Sequence, residues 1–247
     1  MTHISIITAT FNSGATLRDC LESVQNQNIR AEHIIVDGGS RDNTLVIARS
    51  YKHVSNIISE KDRGIYDAMN KGIASASGDV IGILNSDDFY ADDQVLTKVN
   101  DVFKDPSVES CYGDLQYVDS FNTEKATRKW KSGKYRRGAF FWGWMPPHPT
   151  FFVRRSVYER YGNFNLDLGS AADYELMLRF LVKHRISSVY IPGVLVKMRT
   201  GGVSNNSIKS RLKANRMDRL AWTVNGLSPY PWTRYLKPLS KVRQFFV

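Results

Sequence analysis

The chain has 247 residues, 42% hydrophobic and 23% charged, which suits one globular domain with an appendage and excludes a disordered tail or a fibrous repeat. Its net charge of +10 is unevenly placed: residues 1–123 carry 10 bases against 18 acids and residues 124–247 carry 24 against 6, so the two halves stand at −8 and +18. The longest apolar stretch, residues 139–147, is far short of the roughly 18 to 20 residues that cross a bilayer, and the polar opening has no secretory core, so a cytoplasmic protein without a membrane span is expected. Two cysteines, Cys20 and Cys111, cannot build a disulfide framework or a four-thiolate metal site and are expected as reduced core residues.

Residues 4–8 read as a buried strand, and Leu17, Cys20, Leu21 and Val24 then recur on one helix face. Residues 34–36 make a second strand with a helix from about Asn43, residues 54–58 a third, and Ile65, Met69, Ile73 and Ala76 the next helical stripe. Residues 80–84 are a strong apolar strand, followed by a helix marked by Val95, Val99 and Val102. Strand and helix in alternation imply an α/β fold with a largely parallel sheet, in which ligands bind beyond the carboxyl ends of the strands. The second half is less regular: a strand over 111–118, a basic and aromatic loop over 125–144, a strand over 150–153, a helix over 171–183, strands over 188–191 and 195–198, and a helix over 206–224. Pro229, Pro231 and Pro238 break up the remainder.

The segments after the first strands are Ala9-Thr10-Phe11-Asn12, the run from Asp37 to Asn43, the run from Ser59 to Gly64, and Asn85-Ser86-Asp87-Asp88. All are polar and three carry acids. Asp37, followed by Gly38 and Gly39, can accept hydrogen bonds from a base or a ribose, or close a plain turn. Asn85-Ser86-Asp87-Asp88 can hold a hard divalent cation through oxygen ligands, or form a helix-capping turn. No GxGxxG or GxxxxGK[ST] is present, so neither a dinucleotide fingerprint nor a P-loop is available. His148, flanked by Pro147 and Pro149, is a candidate metal ligand or acceptor contact. Phe140, Phe141, Trp142 and Trp144 offer rings for stacking on an acceptor or for core packing. Beyond Asp218 the chain has no acid, and its bases are interleaved with aromatics, which suits a tail lying on anionic lipid headgroups better than one binding nucleic acid.

In order, SIITATFNSG, IIVDGGSRDNT, DRGIYDAMNKGIASASGDVIGILNSDD and AADYEL resemble the landmarks of inverting family-2 glycosyltransferases with the GT-A fold, among them those of bacterial surface polysaccharide assembly. The resemblance is strong over residues 3–90, patchy to about 205 and fades beyond. It implies a glycosyltransferase domain over 1–205, with nucleotide-sugar binding in 1–120 and acceptor binding in 121–205, and a helical, basic and aromatic extension over 206–247. It also implies transfer of a sugar, most simply a hexose, from a nucleotide-diphosphate-sugar to a hydroxyl of a glycan or polyprenyl-diphosphate-linked acceptor, with inversion.

Residue by residue, the resemblance places Ala9, Phe11 and Asp37 at the base, Asp62 beside the nucleotide, and Asn85 and Asp87 in the metal motif of the donor site. Asp87, with Asp88 and His148 as further candidates, would hold Mg²⁺ or Mn²⁺. Asn85 departs from the family's acid at that position, and a neutral amide is a weaker ligand. Asp173 matches the general base at a helix start, with Glu175 as the fallback, and Gly201, Gly202, Val203 and Ser204 match a segment closing over the donor near Lys197 and Arg199. A sugar nucleotidyltransferase would need a basic glycine-rich loop after the first strand, which Phe11-Asn12-Ser13-Gly14 does not supply. A non-enzymatic basic membrane- or nucleic-acid-binding protein would leave the acids at the strand exits without a purpose.

Overall fold

The computed structural model describes residues 2–201, 208–233 and 236, with the backbone alone for 208–215. Among them nine strands form one sheet: β1 (Ile4–Thr10), β2 (Glu32–Asp37), β3 (Val54–Ser59), β4 (Val80–Ile83), β5 (Asp88–Tyr90), β6 (Ser110–Val118), β7 (Ala126–Trp130), β8 (Phe152–Arg154) and β9 (Ser188–Arg199). The helices are α1 (Leu17–Gln25), α2 (Thr44–Ser50), α3 (Ile65–Ser75), α4 (Val95–Val102), α5 (Arg155–Tyr161), α6 (Ala172–Leu178) and α7 (Ile208–Val224). Strands run in the order β3-β2-β1-β4-β8-β6-β9-β5, with β7 paired to β6. The first four are parallel, β8 lies antiparallel between β4 and β6, β9 is parallel to β6, and β5 is antiparallel on the β9 edge.

Every residue of β1 is buried because helices cover both faces, so successive residues feed opposite cores. Ile6 joins Leu17, Leu21, Leu96 and Phe152 on one side, and Ile7 joins Met69, Ile73, Phe140 and Phe180 on the other. The predicted stripe of α1 is buried at all four positions, and Cys20 and Cys111 are free and buried. At roughly 1.5 to 3 kcal/mol for each fully buried large apolar side chain, these two layers carry the fold. No described helix is long and apolar enough to cross a membrane.

The structure departs from the expected elements in six places, the first being the short strand β5, which directly follows Asn85-Ser86-Asp87 and pairs with β9. The 125–144 loop contains β7, a hairpin partner of β6, and a 3-10 turn over Ala139–Trp142. The two strands expected around Pro192-Gly193 are one, β9, because the β6–β9 pairing shifts register opposite that dipeptide and absorbs the missing N–H. The short helix α5 was not legible in the sequence pattern. The helix over 171–183 is α6 followed by a wide turn over Arg179–Lys183. Ile65 is exposed, and the buried face of α3 is Ala68, Met69, Gly72 and Ile73.

Two buried polar devices tie the layers together. Glu175, buried in α6, accepts from Arg179 through both carboxylate oxygens, at 2.9 and 3.1 Å, and from Asn225 Nδ2 at 3.0 Å, which fastens α6 to the end of α7. His33, buried in β2, meets Thr8 Oγ1 at 3.0 Å and His53 Nε2 at 3.1 Å. Burial, with the neighbouring His53 second, pushes the His33 imidazole down from 6.5 to about 3.

Two outcomes follow from this packing. A Cβ at Gly72 would stand 2.3 Å from Ile7 Cγ2, so Gly72→Ala should cost about 1 to 3 kcal/mol in urea or thermal unfolding, although alanine is the better helix former. The unfolded chain protonates His33 below pH 6.5 and the folded chain does not until about pH 3, so stability falls as pH drops through that window. Unfolding free energy should decline by on the order of 2 kcal/mol from this group between pH 6.5 and 5, and His33→Gln should flatten that slope in parallel denaturant titrations.

Candidate active site

The carboxyl ends of the parallel strands converge on one rim. Because β1, β2 and β3 run in register, Thr10, Asp37 and Ser59 stand side by side at their last positions. The Asp37 carboxylate is fully buried and accepts from Thr10 Oγ1 at 3.2 Å, Ser59 Oγ at 2.9 Å, the amides of Gly39 and Ser40 at 3.0 Å each, and Ser40 Oγ. Burial opposes its ionisation, and these donors outweigh burial and hold the carboxyl below the usual range. Gly39, at φ +87°, supplies the turn that aims two amides back at Asp37.

The neighbouring loops are knitted to this turn. Asn12 N donates to Ser40 Oγ at 2.8 Å, Arg41 N to Asn12 Oδ1 at 2.9 Å and Ser13 N to Thr44 Oγ1 at 2.8 Å. Asp62 accepts from Gly64 N at 2.8 Å and lies so close to Gly38 that a Cβ there would come within 2.4 Å of its Oδ2. Ala9 is a small buried residue inside β1, whereas the Phe11 ring at the strand exit is 63% exposed. Of the expected base contacts, the rim therefore presents Phe11 as open surface and keeps Ala9 and Asp37 beneath it.

The Asn85-Ser86-Asp87-Asp88 turn follows β4. Ser86 Oγ lies 2.8 Å from Ser13 Oγ, which joins the β1 and β4 exits. Asn85 Nδ2 donates to Asp88 Oδ2 at 3.0 Å, but Asn85 Oδ1 and Asp88 Oδ1 are buried with no hydrogen-bond partner among the described residues. Burial, with the Asp87 charge next, pushes the Asp88 carboxyl well above its ordinary range. Two orphaned oxygens and an added carboxylate are a donor set that suits a hard divalent cation. Asp87, Asp88 and His148 are nevertheless not gathered into one cluster, and among the described residues no group of three His, Cys, Asp or Glu side chains could hold a metal.

β9 closes the rim from the other side. Arg199 donates to the Asp87 carbonyl at 2.7 Å and pairs with Asp19, so its guanidinium is committed to protein partners. Lys197 is half-buried over the Phe89 ring at 5.8 Å. Gly202, Val203 and Ser204 lie outside the described residues, as do Arg234, Tyr235, Lys237, Lys241, Arg243, Phe245 and Phe246 of the tail.

Asp173 sits in the first turn of α6 with its side chain 17% exposed. His148, in the 3-10 turn His148–Thr150, places Nδ1 3.3 Å from Asp173 Oδ2. The third member, Tyr66, was not anticipated: its hydroxyl meets Asp173, and burial together with that carboxylate pushes the phenol up. Tyr66 belongs to the first turn of α3, directly after the loop that carries Asp62, so Asp173 is held at the same rim as the strand exits. Asn70 fixes the approach by exchanging two 2.9 Å hydrogen bonds with the backbone of Phe164. The tyrosine's signal lay in helix phase, since Tyr66 stands three residues before Met69 and seven before Ile73 on the face they share, whereas the stripe begun at Ile65 passes over it. Glu175 faces Arg179 and Asn225 and is no part of this group.

Comparison with known proteins gives this geometry its class. The sequence model of glycosyl transferase family 2 matches residues 5–162, which takes in the four exit loops and His148 and stops before Asp173. An uncharacterised glycosyltransferase of Mycobacterium tuberculosis is 31% identical over 208 residues, covering 82% of this chain and 77% of its own. A PGL/p-HBAD biosynthesis glycosyltransferase of Mycobacterium bovis is 30% identical over 212 residues, 83% and 80% of the two chains. Among solved structures, Staphylococcus aureus TarS residues 1–349 with UDP-GlcNAc superposes at TM-score 0.72 and 17% identity, covering 95% of this chain and 69% of that one. Against a longer TarS chain the coverage of TarS is 39%. The mannosyltransferase PcManGT of Pyrobaculum calidifontis, with GDP-Man and Mn²⁺, gives TM-score 0.66 at 17% identity, over 97% and 69% of the two chains. The helix-flanked sheet is GT-A-like, and with most of that sheet inside the matched residues the chain belongs to glycosyl transferase family 2.

Proposed function

We propose that this glycosyltransferase moves a sugar from a nucleotide-diphosphate-sugar to a hydroxyl of a glycan or polyprenyl-diphosphate-linked acceptor, with inversion, at the inner face of a cell membrane. The observation that carries the reading is the placement of Asp173 on the strand-exit rim by Tyr66 and His148, since a base for the acceptor must face the donor loops. The donor class is supported by the UDP-GlcNAc and GDP-Man complexes of the structural neighbours. The donor part would be residues 1–120, the acceptor part 121–205, and 206–247 an extension.

In this reading Phe11 stacks on the base, and the loop organised by Asp37 and Asp62 shapes the nucleoside pocket. Asp87, with Asn85 and Asp88 behind it, would hold Mg²⁺ or Mn²⁺. Bound there, the cation would supply positive charge against the charge that grows on the departing diphosphate. Asp173 accepts the proton of the acceptor hydroxyl as its oxygen bonds the anomeric carbon and the bond to the diphosphate breaks. His148, 3.3 Å from Asp173 Oδ2, with Tyr66 beside it, holds the carboxylate in place, so the direction in which it takes the proton is set before the acceptor arrives.

Thermal melts with a panel of nucleoside diphosphates should show one that raises Tm in Mn²⁺ and loses most of that rise in EDTA. At a hundredfold excess over Kd the stabilisation is about 2.7 kcal/mol. No rise with any of the panel removes the donor assignment. Asp173→Asn should keep the nucleotide-induced rise and lower transfer by ~10²- to 10⁴-fold, and undiminished transfer would take Asp173 out of the mechanism.

A further inference from the structure

One exposed aromatic cluster in the second half of the chain has no part in the donor site described above. The 3-10 turn Ala139–Trp142 and residues 230–233 are pressed together: Thr233 Oγ1 donates to the Phe141 carbonyl at 2.6 Å, and Phe141 packs on Trp222 and Tyr230 at 4.8 and 5.0 Å between ring centroids. Trp142, Tyr230 and Trp232 then stand outward as a contiguous cluster, with Tyr230 stacked on Trp232 at 5.1 Å and Trp142 at 6.3 to 6.4 Å from both. Their exposures are 60%, 45% and 46%, values that leave about half of these three large rings in water.

The segment leading into this cluster is basic. Lys131, Lys134, Arg136 and Arg137 lead directly into the turn, all four are exposed, and none is ion-paired among the described residues. No Asp or Glu occurs between Glu124 and Glu159. On α7, Arg216, Leu220 and Val224 recur at four-residue spacing along one exposed strip.

We infer that this face docks the enzyme on a bilayer rich in anionic lipid, with Trp142, Tyr230 and Trp232 seated at the headgroup level and the surrounding bases on phosphates. Indole and phenol rings prefer that interface, and juxtaposed Lys and Arg side chains add electrostatic attraction to it. A second copy of the chain is disfavoured because two such faces would oppose unpaired positive charge. Single-stranded nucleic acid is disfavoured because Tyr230 and Trp232 already stack on each other. The face is also linked to the chemistry: Trp222, beneath Phe141, donates through Nε1 to Tyr174 Oη at 3.0 Å, and Tyr174 is the neighbour of Asp173 in α6. The inference deepens the membrane placement proposed above and is independent of the donor assignment.

The test is co-sedimentation of the full chain with vesicles of phosphatidylcholine, with and without one-third phosphatidylglycerol, at low and high salt. Binding to the anionic vesicles alone, weakened by salt, is expected. The triple variant Lys134→Gln, Arg136→Gln, Arg137→Gln should partition about a hundredfold more weakly, at about fivefold per charge. Trp142→Ser with Trp232→Ser should lose on the order of tenfold or more. Both variants should keep the nucleotide-induced rise in Tm, which separates a failure of this surface from a failure of the donor reading. Brominated lipid should quench tryptophan fluorescence of the unaltered protein. Absence of binding to anionic vesicles, absence of quenching, or variants that partition like the unaltered chain would each overturn the inference. So would binding to an RNA oligonucleotide or self-association in its place.

Discussion

The architecture of the site depends on one buried carboxylate. Asp37 ends β2 in the sheet interior, where an ionised group is tolerated only if its lone pairs are filled. Five donors fill them, and they come from β1, β3 and the turn that follows β2. Satisfying that charge fixes where three loops leave the sheet. The exposed Phe11 ring, the Asp62 carboxylate against Gly38 and the Asn12–Arg41 contact are all positioned by loops that meet at this point.

The second half of the chain solves a different problem, which is to bring a helix start to a rim built by residues far away in sequence. The antiparallel strand β8 lets the chain turn back beside β4, so His148, just before it, arrives at the strand exits. α6 is then oriented from behind by Glu175, whose pairing with Arg179 and Asn225 consumes a charge two residues from Asp173. Two acids close in sequence thus have separate tasks because their environments differ: one is enclosed by a guanidinium and an amide, and the other keeps an open edge.

The parallel half was legible because its signals are local. Buried strands such as residues 4–8 and 80–84 read as apolar runs, and the stripe of α1 repeats at helical spacing. The strand exits were legible for the same reason. What the pattern did not reveal depends on tertiary partners. β7 carries Arg128 and Lys129 and is a strand only because β6 offers an edge. β9 continues through Pro192 only because β6 shifts register. His148 and Tyr66 reach Asp173 from segments distant in sequence, and neither spacing nor composition encodes that meeting. Even Asp37, read correctly as a polar residue at a strand exit, could not be seen from sequence to have its oxygens fully occupied by the protein.

The division of charge along the chain has a consequence for how the molecule moves before it touches anything. Acids are concentrated in the first half of the chain and bases in the second, and to the extent that this division separates the faces of the folded protein it is an electric dipole as well as a cation. In the field of any anionic surface such a body experiences a torque in addition to an attraction, so it turns while it diffuses and arrives already oriented. The torque acts over about a Debye length, near 8 Å at physiological ionic strength, and so shapes the last layer of approach. Orientation of that kind reduces the fraction of fruitless collisions without adding a single contact to the final complex.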